Sequence, residues 1–489
     1  MTVQTEDATR IGRSAARTSR GGFAAAAAEQ LSRADRVARG KDARALAPLE
    51  SHAEFAPDAS RDPVGLLLEQ EKSRVPELVP VRNGRMLVSP FTFYRGAALP
   101  MAADLATTPT SGLRVQLCGD AHLSNFGAFA SPERRLVFDV NDFDETLPGP
   151  FEWDVKRLAA SLVVAGRDNG FGGKACRKIV LAGIERYRKA MQEFSEQFFL
   201  EVWYARLDVD DAISEFQARL KASKVKATEK MVAQAQTHDS MQALSKLTTL
   251  VGGQPRIISD PPLIEPIEEV FPDEKASAIH ELVRGVLGKY QRTLQSDRKY
   301  LLQHFTLVQV ARKVVGVGSV GTRCWIALNG AGDRTEPLFL QVKEAQTSAL
   351  ANYCGRSQYR NQGERVVAGQ HLMQAESDIF LGWTRAADPD GVDRDYYVRQ
   401  LKDWKFSAPI EQMAPSDLAT YAGLCGWTLA RAHARSGDRI ALAAYLGGSS
   451  KFDQAIADFA EKYADQNDRD YAALQAAVKD GRAEATTSI

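Results

Sequence analysis

Two neighbouring stretches constrain this chain more than any other part of it. Val115-Gln-Leu-Cys-Gly-Asp120-Ala-His122-Leu-Ser-Asn125 and Leu136-Val-Phe-Asp139-Val-Asn-Asp142-Phe-Asp144-Glu145 each begin as a short apolar run and break into carboxylates. Short apolar runs bounded by turn formers read as buried strands. A buried strand that ends in acids delivers them to a site at its end. Asp and Asn at strand ends also serve as plain turn formers, so either stretch alone leaves both readings open.

The spacing gives them a chemical meaning. Phosphoryl transfer of the kinase type needs an Asp to orient the attacking hydroxyl and an Asn five residues on to hold a metal ion. It needs a further Asp, after a short hairpin, for Mg²⁺. Asp120, Asn125 and Asp142 have that order, with Asp144 as a second metal ligand. Asp139 competes with Asp142 for the metal role. Asp142 is preferred because it ends the apolar strand.

A second constellation lies far downstream. Gly316-Val-Gly318-Ser-Val-Gly321 is followed by Thr322, Cys324, Trp325 and Ile326, which are β-prone. A dinucleotide site would open a helix there, whereas a glycine-tipped β-hairpin closes over ATP phosphates. After the Gly332-Asp333 turn, a third strand over 337–345 carries a single lysine, Lys343, in an apolar run. A buried lysine needs a partner, unless it snorkels from the strand end. Phosphate oxygens and Glu364, on a helix expected over 358–376, are the candidates, with Glu376 and Glu344 as further ones.

The remaining chain fills in around these pieces. Residues 1–60 are Ala-, Arg- and Ser-rich and read as a mobile arm, with one helix around 22–39. Arg82, Arg85 and Arg95 lie near the acidic stretches and suit anion binding, or are structural. Asp154 opens a helical pattern, either as a buttress of the 118–125 loop or as a helix-start acid. His433, near the end of a helix from Ser416, reads as a helix-terminal or core histidine. The expected units are a helical lobe over 61–305, with a peripheral excursion at 207–260, a small β lobe over 306–405, and helices returning to the large lobe over 406–489.

Composition excludes some classes. Sixty-two basic and sixty-two acidic residues cancel, so a general attraction to nucleic acid is not indicated. Five scattered cysteines without a Cys-x-x-Cys pair argue against a disulfide framework and a zinc site, and point to a reduced, cytoplasmic protein. No apolar run is long enough for a membrane span.

The two constellations together contain every part of a protein kinase, but the loop and metal Asp precede the hairpin and lysine. A circular permutation explains this order, with the cut between the helix near 417–434 and the strand near 113–118. The expected fold is α+β: a two-lobed, circularly permuted kinase-like fold with a largely helical large lobe and a small antiparallel β-sheet lobe. Cys-Gly-Asp120-Ala-His-Leu-Ser-Asn125 resembles the His-Gly-Asp-x-x-x-x-Asn loop of aminoglycoside phosphotransferases, with Cys118 in place of the His. Asp142-Phe-Asp144 resembles their metal-binding strand, and the Asp154 region resembles their helix start. From about 60 to 480 the chain also resembles a bacterial family of unknown function, domain of unknown function 2252, in Phe93-Tyr-Arg-Gly-Ala, Cys-Gly-Asp-Ala-His, Asn-Asp-Phe-Asp-Glu-Thr and Gln-Val-Lys-Glu-Ala. That family brings no established activity.

The expectation is an ATP- and Mg²⁺-dependent phosphotransferase acting on a hydroxyl acceptor, a small molecule or a protein side chain. Asp120, Asn125 and Asp142 are its catalytic residues, and Gly316, Gly318, Gly321, Lys343 and Glu364 hold the nucleotide. Asn125, Asp142 and Asp144 hold the metal. Three alternatives stay open at this level: AMP transfer on the same fold, a non-catalytic nucleotide-binding regulator, and a metal-dependent phosphohydrolase built on Asp120, His122, Asp139 and Asp142. Acceptor and oligomeric state are open.

Overall fold

The computed structural model describes residues 31–209, 240–252, 254–332, 336–401, 404 and 407–486. Residues 1–30 of the expected arm, most of the 207–260 excursion and Asp333 lie outside them. The architecture is mixed α+β, a helical body joined to small antiparallel sheets.

Among the described residues the first element is helix α1 (Arg33–Leu46), capped by a reciprocal Ser32–Asp35 box. This segment was expected in a mobile arm, and it is docked instead. A Cβ on Gly40 would lie 2.1 Å from the Ala441 carbonyl oxygen, so the helix rests directly on a neighbour's backbone. Arg44 adds hydrogen bonds to the carbonyls of Ala444 and Tyr445, 2.8 Å each. Small residues bury little area, which is why the composition reads as disorder, but they permit this close approach.

Four short helices follow: α2 (Pro63–Glu71), α3 (Val79–Met86), α4 (Pro90–Gly96) and α5 (Ala98–Leu105). Next come β1 (Arg114–Leu117), the hairpin β2 (Phe126–Ala130) and β3 (Leu136–Val140), and β4 (Leu147–Pro150), which pairs back with β1. Helices α6 (Phe151–Asp168) and α7 (Gly173–Glu196) complete the first half of the body.

After the undescribed stretch come α8 (Ser240–Leu247), the hairpin β5 (Thr248–Val251) and β6 (Gln254–Ile257), β7 (Ile264–Pro266) and α9 (Asp273–Tyr290). Strands β8 (Thr306–Lys313), β9 (Cys324–Ala331) and β10 (Glu336–Glu344) precede helix α10 (Gln362–Met373). Strands β11 (Gly382–Ala387) and β12 (Asp393–Gln400) follow it. Helices α11 (Pro415–Ser436), α12 (Arg439–Leu446) and α13 (Lys451–Lys479) end the described chain.

The main sheet has the order β11-β12-β10-β9-β8-β7, antiparallel throughout. Strand β10 is buried along almost its whole length, which explains its unbroken apolar run. Alternation divides its two faces. Leu338, Leu340 and Val342 pack with Val283, Val286 and Tyr290 of α9. Phe339, Gln341 and Lys343 share the other face, whose far end is covered by Ala243 and Leu247 of α8 and by Ile257. Residues 254–305 were expected in the helical lobe, 276–305 of them as helix from periodicity, yet they pack with the sheet.

The body is built on α6, α7, α11 and α13, with Leu158, Ile184, Tyr187, Leu429 and Phe459 among its fully buried members. Helices α7 and α11 cross at glycines. A Cβ on Gly426 would sit 2.1 Å from the Gly183 carbonyl oxygen.

Candidate active site

The loop after β1 is fixed from behind. Asp154, in the first turn of α6, accepts the backbone N–H of Cys118 at 2.8 Å and that of Gly119 at 3.1 Å. The buttress role is therefore the observed one. His433 is a core histidine, fully buried between Asp154 (3.3 Å) and the Tyr187 hydroxyl (2.9 Å). Gly119 has φ +85°, and a Cβ there would lie 2.3 Å from the Glu145 carbonyl oxygen. The turn before Asp120 therefore requires glycine.

Asp120 faces a cleft of about 800 Å³ between the sheet side and the helical body. Its Oδ1 accepts from Arg157 Nε and Nη2 at 2.9 and 2.6 Å, and His122 Nε2 lies 3.6 Å from Oδ2. Burial raises the Asp120 carboxyl above its ordinary value, against the pull of Arg157. Burial, with Arg95 and Arg157 nearby, holds His122 well below its ordinary value, so the ring is neutral. The Asn125 side-chain amide donates to the Asp120 carbonyl at 2.8 Å, which leaves its oxygen as an acceptor.

The second acidic stretch separates into two roles. Asp139 points away into the core, where Arg431 holds both its oxygens at 2.6 and 2.7 Å and the Ala375 N–H donates at 3.0 Å. It is a structural anchor. Asp142 lines the cleft and accepts the Asp144 N–H at 3.2 Å. Asp144 also lines the cleft and accepts from the Tyr397 hydroxyl at 2.8 Å and the Ser319 hydroxyl at 3.1 Å.

Lys343, only 1% exposed, bonds to Asp144 and to the Ser319 hydroxyl (2.9 Å). Its partner is thus Asp144, not Glu364. Glu344 faces Arg323 at 3.4 Å, and Glu376 faces Arg206 at 3.2 Å. The residue that α10 sends toward the acidic loop is Arg365, which donates to the carbonyls of Asp144, Thr146 and Gln346 at 2.8 Å each. Burial disfavours both charges of the pair, yet each offsets this for the other. Lys343 is raised, with Asp142 and Asp144 as the cause, and Asp144 is lowered, chiefly by Lys343.

The glycine segment joins β8 to β9, with φ +64° at Gly316 and +90° at Gly321. Its tip residue Ser319 meets the Lys343–Asp144 pair. Sequence reasoning did not foresee what braces it. Val75 N–H donates to the Gly321 carbonyl and Arg85 to the Gly316 carbonyl, both at 2.7 Å. Arg74 donates to the Val320 carbonyl. A Cβ on Gly318 would lie 3.1 Å from the Arg95 carbonyl oxygen. Of the three arginines singled out in this region, Arg82 is fully buried and bonds the Gly96 carbonyl and Gln70, so it is structural.

The cleft therefore collects Asp120, Asn125, Asp142, Asp144, Gly316 and Gly318. Lys343 stands behind Asp144, and Glu364 stays outside. Among the described residues no three His, Cys, Asp or Glu side chains converge as a metal-holding group. The donor set is two carboxylates and the Asn125 amide oxygen. Such hard oxygen donors suit Mg²⁺, which keeps several waters and takes the rest of its shell from substrate phosphates.

Fold and site define an α+β protein with an acidic, arginine-braced cleft beside a glycine loop. Residues 74–477 match the family described as an uncharacterised protein conserved in bacteria, domain of unknown function 2252, and the chain belongs to it. No curated protein and no solved structure matches the chain. No helix among the described residues is long and apolar enough to cross a membrane, and all five cysteines are free thiols.

Proposed function

We propose that this protein is an ATP- and Mg²⁺-dependent phosphotransferase on a circularly permuted, two-lobed kinase-like fold. The observation that carries this reading is the contact of Lys343 with Asp144 across 199 residues of sequence. It joins the glycine-loop half to the Asp120–Asn125 half in one cleft. The order of β8, β9, β10, α10, β11 and β12, then α11, the 118–125 loop, the β2–β3 hairpin and Asp142–Asp144, supports it as well. That is the order of kinase parts once the ends are exchanged.

Asp120 orients the acceptor hydroxyl and takes its proton, and its raised carboxyl value moves it toward the range a base needs. Asn125, Asp142 and Asp144 are the residues that would hold Mg²⁺. The ion, when bound, supplies charge neutralisation on the phosphates. Lys343, bonded to Asp144 and to the Ser319 hydroxyl, positions both for the metal and the phosphates. Catalysis in this reading is positioning and electrostatics. The phosphohydrolase alternative loses Asp139, which Arg431 holds in the core.

The test is thermal unfolding of the full chain with and without Mg²⁺-ATP. Ligand at a hundred times its dissociation constant stabilises by about 2.7 kcal/mol. Wild type should show the shift, and Lys343→Met and Asp144→Asn should lose most of it. A folded wild type with no shift rules the reading out.

A further inference from the structure

We infer that Arg74 and Arg95 form a binding site for a phosphate chain in this cleft, taking at least two linked phosphates beside the glycine loop. The inference rests on the phosphotransferase reading only for the ligand's origin, a nucleoside polyphosphate. The site itself rests on charge and hydrogen-bond accounting.

Seven basic or imidazole side chains line the cleft. Lys72 pairs with Glu69, Arg323 with Asp388, Arg385 with Asp395 and Arg394 with Asp390. His122 is held neutral by its burial. Among the described residues Arg74 and Arg95 alone of the cleft arginines have no carboxylate at ion-pair distance. Both also carry a buried Nε–H without a protein acceptor among the described residues. Arg74 is 6% exposed, and the Val320 carbonyl takes only one of its nitrogens.

A buried cation and an orphaned donor are each costly, and an anion bound in the cleft would satisfy both arginines. A guanidinium offers a planar fork that matches phosphate oxygens. Two forks that start beside different glycines of the loop suit linked phosphates better than a single one. Both residues border the glycine loop. The stem of Arg74 would meet a Cβ on Gly321 at 3.0 Å, and the backbone of Arg95 would meet one on Gly318 at 3.1 Å. A phosphate chain lying on this wall faces Asp142 and Asp144 across the cleft, where Mg²⁺ would screen the carboxylates from it.

The experiment is calorimetric titration of the full chain with inorganic pyrophosphate and Mg²⁺, on wild type, Arg95→Gln and Arg74→Gln. Pyrophosphate carries no base, so it reads the anion site alone. Among the described residues Arg95 makes no side-chain hydrogen bond, so Arg95→Gln should fold as wild type does. Binding to wild type, weakened at least about tenfold in Arg95→Gln, is the expected result, and Arg74→Gln should follow if it folds. Pyrophosphate binding to Arg95→Gln equal to wild type, or no binding to wild type at millimolar concentration, overturns the site. If pyrophosphate binding depends on Arg95 but ATP is never consumed, the site stands and the phosphotransferase reading fails. If ATP is turned over with no change in Arg95→Gln, the reading stands and the site fails.

Discussion

Replacing Lys343 by methionine removes the charge bonded directly to Asp144 and leaves only the longer-range compensation from Arg399. Lys343 is 1% exposed and the Asp144 side chain 25% exposed. Removing one partner of a buried pair costs about 3–5 kcal/mol, because the other charge is left uncompensated. Asp144 keeps the Tyr397 and Ser319 hydroxyls and a partial view of solvent, so Lys343→Met belongs at the low end, about 3 kcal/mol. Removing the Asp144 charge as well relieves most of that penalty. A double-mutant cycle of Lys343→Met with Asp144→Asn, followed by urea unfolding at neutral pH, should give a coupling of about 2 kcal/mol. The pH dependence has a definite sign. Asp144 is lowered in the folded state, so its contribution is complete above the ordinary Asp value of about 3.9 and disappears as pH falls through the folded value. Lys343 is raised, so its contribution is complete below the ordinary Lys value of about 10.4 and is lost as pH rises through the folded value. The coupling should therefore be flat between about pH 5 and 9 and fade on acidification. Single-variant losses that simply add, to within about 0.5 kcal/mol, would refute the pairing.

Other perturbations separate scaffold from site. Gly426→Ala should cost about 1–3 kcal/mol by forcing α11 off α7, seen as a lower urea midpoint, since its Cβ would lie 2.1 Å from the Gly183 oxygen. An unchanged midpoint contradicts the close crossing. Asp139→Asn should cost about 3 kcal/mol by stranding Arg431, yet leave nucleotide binding per folded molecule intact. Loss of nucleotide binding in a folded variant would return Asp139 to the site. Deleting residues 1–46 should destabilise by at least about 2 kcal/mol, from the two Arg44 hydrogen bonds alone. A truncated protein with wild-type thermal stability would mean that α1 is the free arm its composition suggests.

How much of this was legible follows from what a local pattern can encode. Strand β10 was readable because burial on both faces demands a largely apolar run, and Lys343 was conspicuous as the single lysine in it. Its partner was not readable. Asp144 lies 199 residues earlier, and no periodicity links the two, so the nearby Glu364 was the natural guess. The loop's support was partly visible, because Asp154 begins a helix close to Cys118 in sequence. The arginine brace was hidden for the opposite reason. Arg74, Arg85 and Arg95 contact a loop more than two hundred residues away, and sequence alone did not distinguish them from the structural Arg82. Periodicity identified α9 as a helix but carried no information on what it covers, so its place against the sheet emerged only from the packing.

The proposed reaction is transfer of the terminal phosphate of ATP, with Asp120 as the acceptor's base. It is tested most directly by incubating the protein with Mg²⁺-ATP labelled at either the γ- or the α-phosphate and a panel of sugars, aminoglycoside-like compounds, lipid head groups and peptides. The Asp120→Asn variant serves as the blank. The expected result is γ-label on one acceptor class, no α-label on any, and neither in the variant. Incorporation of α-label would assign AMP transfer to the same cleft, and γ-label persisting in Asp120→Asn would remove Asp120 from the chemistry.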